Sequence, residues 1–230
     1  MNDDIDPAAR QVRVWDLPTR VFHWLLAATV IGSVITAKIG NNALTWHMRL
    51  GLLALALLAF RLVWGFVGGH WSRFTSFIYP PSSVLAYLRG DTGPGGRFDV
   101  GHSPLGALSV FALLLVLIVQ VATGLVADDE IATTGPLNRF VETALALKAT
   151  SWHKAVGQYL IITLVALHIA AVLFYLFKKQ RNLIAPMWHG NKHLAPGTPP
   201  SADGVAQRVM AAVLIGLALC LSWWIARLGA

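Results

Sequence analysis

Four histidines, His23, His47, His153 and His168, fall inside strongly apolar stretches of a 230-residue chain. An imidazole carried into hydrocarbon costs several kcal/mol unless it binds something. For any one of them a hydrogen bond to a neighbouring helix is as good an account, but their arrangement argues for ligands. His153 and His168 are fifteen residues apart, which on an α-helix separates them by about 60° in azimuth and ~22 Å along the axis. One helix therefore offers two ligands near one face at two depths. Trp46-His47-Met48-Arg49-Leu50-Gly51 and Trp152-His153-Lys154-Ala155-Val156-Gly157 share a Trp-His pair and a glycine four residues after the histidine. Glycine one turn away on the same face leaves room for a flat macrocycle bound to the ring. Close helix packing remains the alternative for Gly51 or Gly157 taken singly. Arg49 and Lys154 can offer cations to carboxylates at the same level.

Elements of membrane type must position these residues. The chain is 56% hydrophobic and 13% charged, with a mean hydropathy of +0.60, a composition of bilayer proteins rather than soluble ones. The apolar runs predict five spanning helices near residues 19–39, 46–67, 104–126, 151–177 and 205–227, with Pro18 and Pro104 in the first turns of the first and third. The first twenty residues carry Asp3, Asp4, Asp6, Arg10 and Arg13 without an apolar core, so no cleaved signal peptide is expected. Twelve of the 18 basic residues fall on the side shared by the N-terminal segment, the end of helix two, loop 68–100 and the stretch 178–208. The positive-inside rule then predicts a cytoplasmic N-terminus and a periplasmic C-terminus in a bacterial inner membrane. A formal charge of +7 would suggest nucleic acid in a soluble protein; here it sets topology, and no nucleic-acid partner is expected. The expected organisation is a cytoplasmic segment 1–18, a four-helix bundle 19–177, a cytoplasmic connector 178–204 and a fifth transmembrane helix 205–230.

With that topology His23 and His168 lie toward the inner face and His47 and His153 toward the outer face, giving two pairs at two levels. Two imidazoles per site, no acidic neighbour and wide apolar surroundings suit axial ligation of haem better than a bare ion. Zinc recruits more protein ligands. Cys220 is the only cysteine, which removes structural disulfides, four-thiolate clusters and covalent c-type haem. Two non-covalent haems b are the expected cofactors, and an iron without an open position serves electron transfer rather than oxygen binding.

At these residues the chain resembles the bacterial cytochrome b561 family, which includes b-type subunits of nickel–iron hydrogenases and formate dehydrogenases. The likeness is carried by Arg20-Val21-Phe22-His23-Trp24, His47 with Gly51, Arg61-Leu62-Val63-Trp64-Gly65-Phe66-Val67-Gly68, Arg73-Phe74, Gly101-His102-Ser103-Pro104-Leu105-Gly106 and the helix-four histidine pair. It implies an all-α integral membrane protein in which a four-helix bundle binds two haems b through the pairs given above and exchanges electrons with a quinone. Helix-four histidines of the family usually stand fourteen residues apart, not fifteen. The extra residue turns one ligand by ~100°, so a local irregularity is expected in helix four.

Other residues have weaker claims. His102 precedes Gly106 as the ligands precede theirs, but Pro104 places it just before a helix. It is expected to contact a haem propionate or a quinone, with a surface histidine shaping the turn as the alternative. Arg61 and Arg20 can meet propionates of the inner haem or anchor at the interface. The expected function is electron transfer between ubiquinone or menaquinone and a redox protein such as a dehydrogenase, a hydrogenase or a cytochrome c, with homo-oligomerisation left open. A stand-alone quinone reductase or superoxide oxidase is the alternative, and a haem-free metal or proton transporter a remote one. No catalytic dyad or nucleophile is evident, and the fifth helix carries no ligand.

Overall fold

The computed structural model describes residues 10–91, 93–131 and 133–229. Residues 1–9 of the predicted N-terminal segment thus lie outside the described residues. In chain order the main elements are β1 (Arg10–Arg13), α1 (Leu17–Ile39), α2 (Leu44–Val67), α3 (Pro81–Leu88), α4 (Pro104–Val126), α5 (Thr143–Ser151), α6 (Gln158–Phe177), α7 (Ile184–His189), β2 (Asn191–Leu194) and α8 (Val205–Leu228). α1, α2, α4, the continuous helical run Thr143–Phe177 and α8 are each long and apolar enough to cross a membrane. The expected all-α membrane fold is the one observed, with one two-stranded β pair added among the described residues. Proline opens α4 and stands second in α1, where its missing donor is no loss. The fourth helical run begins eight residues before the predicted 151. Glu142 and Lys148 dilute the apolar signal there, yet the carbonyl of Glu142 accepts the N–H groups of Leu145 and Ala146 and starts the helix.

The chain packs as two compact units. Among the described residues one comprises 10–21, 62–91, 93–110 and 170–211. Its centre is Asp16, which is 0% exposed and caps α1 by accepting the Thr19 N–H at 2.8 Å. The same carboxylate accepts Trp64 Nε1–H at 3.1 Å, Gly69 N–H at 3.2 Å and the Ser72 hydroxyl at 2.5 Å. A buried carboxylate is tolerated only with such a full set of donors. The stretch read as a connector, 178–204, carries α7 and β2. β2 pairs antiparallel with β1, Arg10 opposite Leu194 and Arg13 opposite Asn191. Below the pair Val14, Trp15, Trp71 and Val100 form an apolar cluster with Met187 and Leu194. Gly190 ends α7 at φ 87°, and a side chain there would meet the Trp15 carbonyl at 2.6 Å, so the turn demands glycine. Its carbonyl accepts the N–H groups of Val14 and Trp15.

The other unit comprises, among the described residues, 22–61, 111–131, 133–169 and 212–229. Ala54, Leu57, Leu58, Phe60, Leu114, Leu117 and Ile161 are among its buried apolar residues. α8 contributes Ala218 and Ser222, both buried. The Ser222 hydroxyl donates to the Leu52 carbonyl of α2 at 2.6 Å, which gives the fifth helix a packing role against α2.

Candidate functional site

All four of these histidines lie in the second unit, where His47 stands beside His153 and His23 beside His168. The His47 and His153 ring centres are 6.0 Å apart, with planes at 88°. His23 and His168 are 6.4 Å apart at 54°. Bonds from a metal ion to imidazole nitrogen are about 2 Å long, so two rings on opposite sides of one ion have centres on the order of 6 Å apart. Both separations suit a single ion between each pair. Among the described residues no group of three or more His, Cys, Asp or Glu gathers, so the donor set is two imidazoles per site, as for a macrocycle that supplies the remaining ligands.

The His47 level is anchored by backbone. The Nδ1–H of His47 donates to the Ser33 carbonyl of α1 at 2.9 Å. The Nδ1–H of His153 donates to the Gln120 carbonyl of α4 at 2.9 Å, with the Thr123 hydroxyl oxygen 3.3 Å away. A carbonyl can only accept, so each Nδ1 carries the proton and each Nε2 presents its lone pair, the tautomer required of a ligand. Gln120 also donates from Nε2 to the His153 carbonyl at 3.1 Å. A side chain at Gly124 would come within 2.9 Å of His153 Cε1, so glycine there lets the ring reach α4. The paired glycines behave differently. A side chain at Gly51 would meet nothing within 4 Å, whereas at Gly157 it would collide with Gln120 and Trp152. Gly51 borders open space and Gly157 a packed contact.

The spacing irregularity resides in this level. Trp152–Gly157 is a π-helical segment between α5 and α6, in which the Gln158 N–H bonds to the His153 carbonyl five residues back. A π-turn takes up one extra residue without ending the helix. The fifteen-residue interval therefore acts in azimuth like fourteen, and both rings face their partners.

At the other level His23 stands edge-on to Trp24, with ring centres 5.0 Å apart, and its Nδ1 is buried without a hydrogen-bond partner. Arg61 belongs to the same unit and is 3% exposed, so it does not snorkel to water. Arg49 and Lys154 are exposed, and Arg49 stacks on Trp46 at 4.9 Å. The remaining candidates lie in the first unit. Arg20 donates to the Trp188 carbonyl. The His102 ring packs against Phe77 at 4.3 Å and Trp15 at 4.7 Å, and its carbonyl accepts the Tyr79 hydroxyl at 3.0 Å. His70 lies in a short 3₁₀ turn, where burial first, then Arg73 and Arg97, push its pKa below the usual histidine range. Ser33, Gln120, Thr123 and Gly124 escaped sequence reasoning. Gln120 and Gly124, a polar residue and a glycine one turn apart in an otherwise apolar helix, carried a usable signal; a backbone carbonyl at Ser33 carries none.

A family model described as prokaryotic cytochrome b561 matches residues 14–190. The chain belongs to this family. The matched region contains all four histidines and ends before β2 and α8. Among curated proteins the chain is similar to the probable Ni/Fe-hydrogenase 1 B-type cytochrome subunits of Escherichia coli K12 and Escherichia coli O157:H7, at 24% identity in each case over 77% of this chain and 88% of the relative. No solved structure matches it significantly. As a member of the cytochrome b561 family the chain is a multi-pass membrane b-type cytochrome that binds haem b and serves transmembrane electron transfer.

Proposed function

We propose that the protein holds two haems b, one between His23 and His168 and one between His47 and His153, and conducts electrons between a membrane quinone and a redox protein. The observation that carries this reading is the pair of ring separations, 6.4 and 6.0 Å, each fitting one ion between two imidazoles. Iron held in that way supplies a one-electron couple with no open coordination position. The residues of the chain do the rest. Ser33 and Gln120 hold two ligand rings in the correct tautomer, the π-turn sets the register of His153, and Gly51 keeps space clear beside His47. Buried Arg61 would offset propionate charge at the His23 level, and Arg49 and Lys154 would do so at the His47 level. The basic N-terminal side faces the cytoplasm of a bacterial inner membrane, with the His47 level toward the periplasm. The hydrogenase named in the two relatives favours a hydrogenase-type or other dehydrogenase partner, with ubiquinone or menaquinone as the second exchange partner.

Pyridine haemochrome quantitation of the purified protein is expected to give two haems b per chain. His168→Ala is expected to retain one, with the remaining spectrum assigned to the His47 level. A wild type with about one haem, as a matter of ligand arithmetic, or a variant that keeps both, overturns the assignment. The exposed Arg49, Lys148 and Lys154 favour a second reading, a stand-alone quinone reductase or superoxide oxidase that draws an anion to this face. Superoxide-driven quinone reduction by the isolated protein, without any partner, separates the two.

A further inference from the structure

The His47 and His153 rings are held by different chemistry from the His23 ring. At the His47 level both rings donate Nδ1–H to backbone carbonyls, Ser33 and Gln120, each at 2.9 Å. At the other level His23 Nδ1 is buried and has no hydrogen-bond partner. The difference is built into the sequence of the acceptor helices. A helical carbonyl points along the axis toward the residue four positions on, and those residues are small here, Ala37 after Ser33 and Gly124 after Gln120. At Gly124 even a single added carbon would stand 2.9 Å from the His153 ring, so access of the ring to the Gln120 carbonyl requires glycine.

A carbonyl that accepts Nδ1–H polarises the imidazole, raises negative charge at Nε2 and makes it a stronger donor to a bound metal. A stronger donor favours the more highly charged, oxidised ion and lowers the reduction potential. A second feature acts in the same direction. Arg61 follows His47 by fourteen residues on α2, which carries it ~21 Å along the axis to the His23 level. It is 3% exposed, whereas Arg49 and Lys154 at the His47 level are exposed. A buried cation favours the less positive, reduced state of its neighbour.

We infer that the Ser33 and Gln120 carbonyls make the His47/His153 site the low-potential centre of this protein, and that the His23/His168 site is the high-potential centre. The inference rests on the two-site reading above. Electron transfer from the first level to the second then runs downhill, and Gly124, Gln120 and Thr123 are positioning residues for it.

The test is a redox titration of the purified haem-loaded protein in detergent micelles, followed at the α-band. The wild type is expected to show two midpoints. In His168→Ala the surviving midpoint is expected to be the lower one. If that variant does not accumulate, His168→Met keeps a ligand and raises the potential of its own site, so the upper midpoint is expected to move and the lower to stay. Gly124→Ala pushes the His153 ring off its carbonyl and is expected to raise the lower midpoint by about tenfold in the reduction equilibrium, ~59 mV for one electron, with the upper midpoint unmoved. Thr123→Val is expected to give a smaller shift of the same sign. Survival of the upper midpoint in His168→Ala, or movement of the lower midpoint in His168→Met, overturns the inference while leaving two sites intact. A wild type with a single haem overturns the two-site reading instead.

Discussion

A ring nitrogen that donates to a carbonyl leaves its partner nitrogen with one lone pair and one direction in which to use it. At His47 and His153 that direction is set by the α1 and α4 backbones, so the ligand geometry survives side-chain changes that spare those carbonyls. The two glycines at the same level separate space from packing. Gly51→Leu fills space that borders no atom within 4 Å. The variant is expected to accumulate like the wild type but to lose close to half of its haem, read by pyridine haemochrome per chain. Gly157→Leu drives a side chain into Gln120 and Trp152, and overpacking of this kind costs about 1–3 kcal/mol or more. It is expected to lower the thermal midpoint and the yield before any effect on haem content is seen. Equal behaviour of the two variants would refute this distinction. The four histidines were legible because imidazole is conspicuous in an apolar run. Gly51 and Gly157 looked alike in sequence because the difference between them is made by Gln120 on another helix.

At the scale of elements, the π-turn at Trp152–Gly157 is a register device. Deleting Ala155, which is exposed within that segment, removes the extra residue and leaves fourteen between the ligands. The run is expected to close into regular α-helix with both haems retained. Deleting Ala166 in α6 instead turns His168 by ~100° relative to the π-turn and His153, and is expected to abolish one haem. Optical spectra of the two deletion proteins, side by side, test whether the π-turn stores the surplus residue. The long helices were readable from hydropathy, and the irregularity from the interval between two histidines. The start of the fourth run was not, because its first turns mix Glu142 and Lys148 with apolar residues. β1 and β2 were invisible for a different reason. Each is four residues long with no alternating pattern, and their pairing joins segments that flank the matched region on either side.

At the scale of the whole molecule, the unit that holds β1 and β2 depends on polar groups taken out of water. The Lys192 ammonium donates to the Asp99 and Val100 carbonyls at 3.1 and 2.7 Å. Burial, only partly offset by Asp99, brings its pKa down to about 8 from the usual 10.5. Between those values the unfolded chain binds the proton and the folded unit releases it, so folded stability rises with pH across this window and the penalty is fully present below pH 8. Thermal midpoints are expected to climb as pH goes from 8 toward 10, and to show no such climb in Lys192→Met. Asp203 acts in the opposite sense. Burial alone would push its carboxyl up, but Arg208, the Leu17 N–H and Arg13 hold it below the usual carboxylate range. Its stabilising share is present at neutral pH and is lost as acid protonates it.

The β1–β2 pair also has a consequence in time. Arg13 leaves the ribosome long before its partner Asn191, and at synthesis rates of roughly 5–20 residues per second the first strand waits on the order of 10–40 s for the second. Through that interval α1 already has its Asp16 cap, but the Gly190 carbonyl that receives Val14 and Trp15 does not yet exist. Closure of the strand pair therefore comes late in synthesis, after α1 to α7 have been made and before α8. A chain that ends before residue 194 leaves the backbone N–H and C=O groups of β1 without their strand partner.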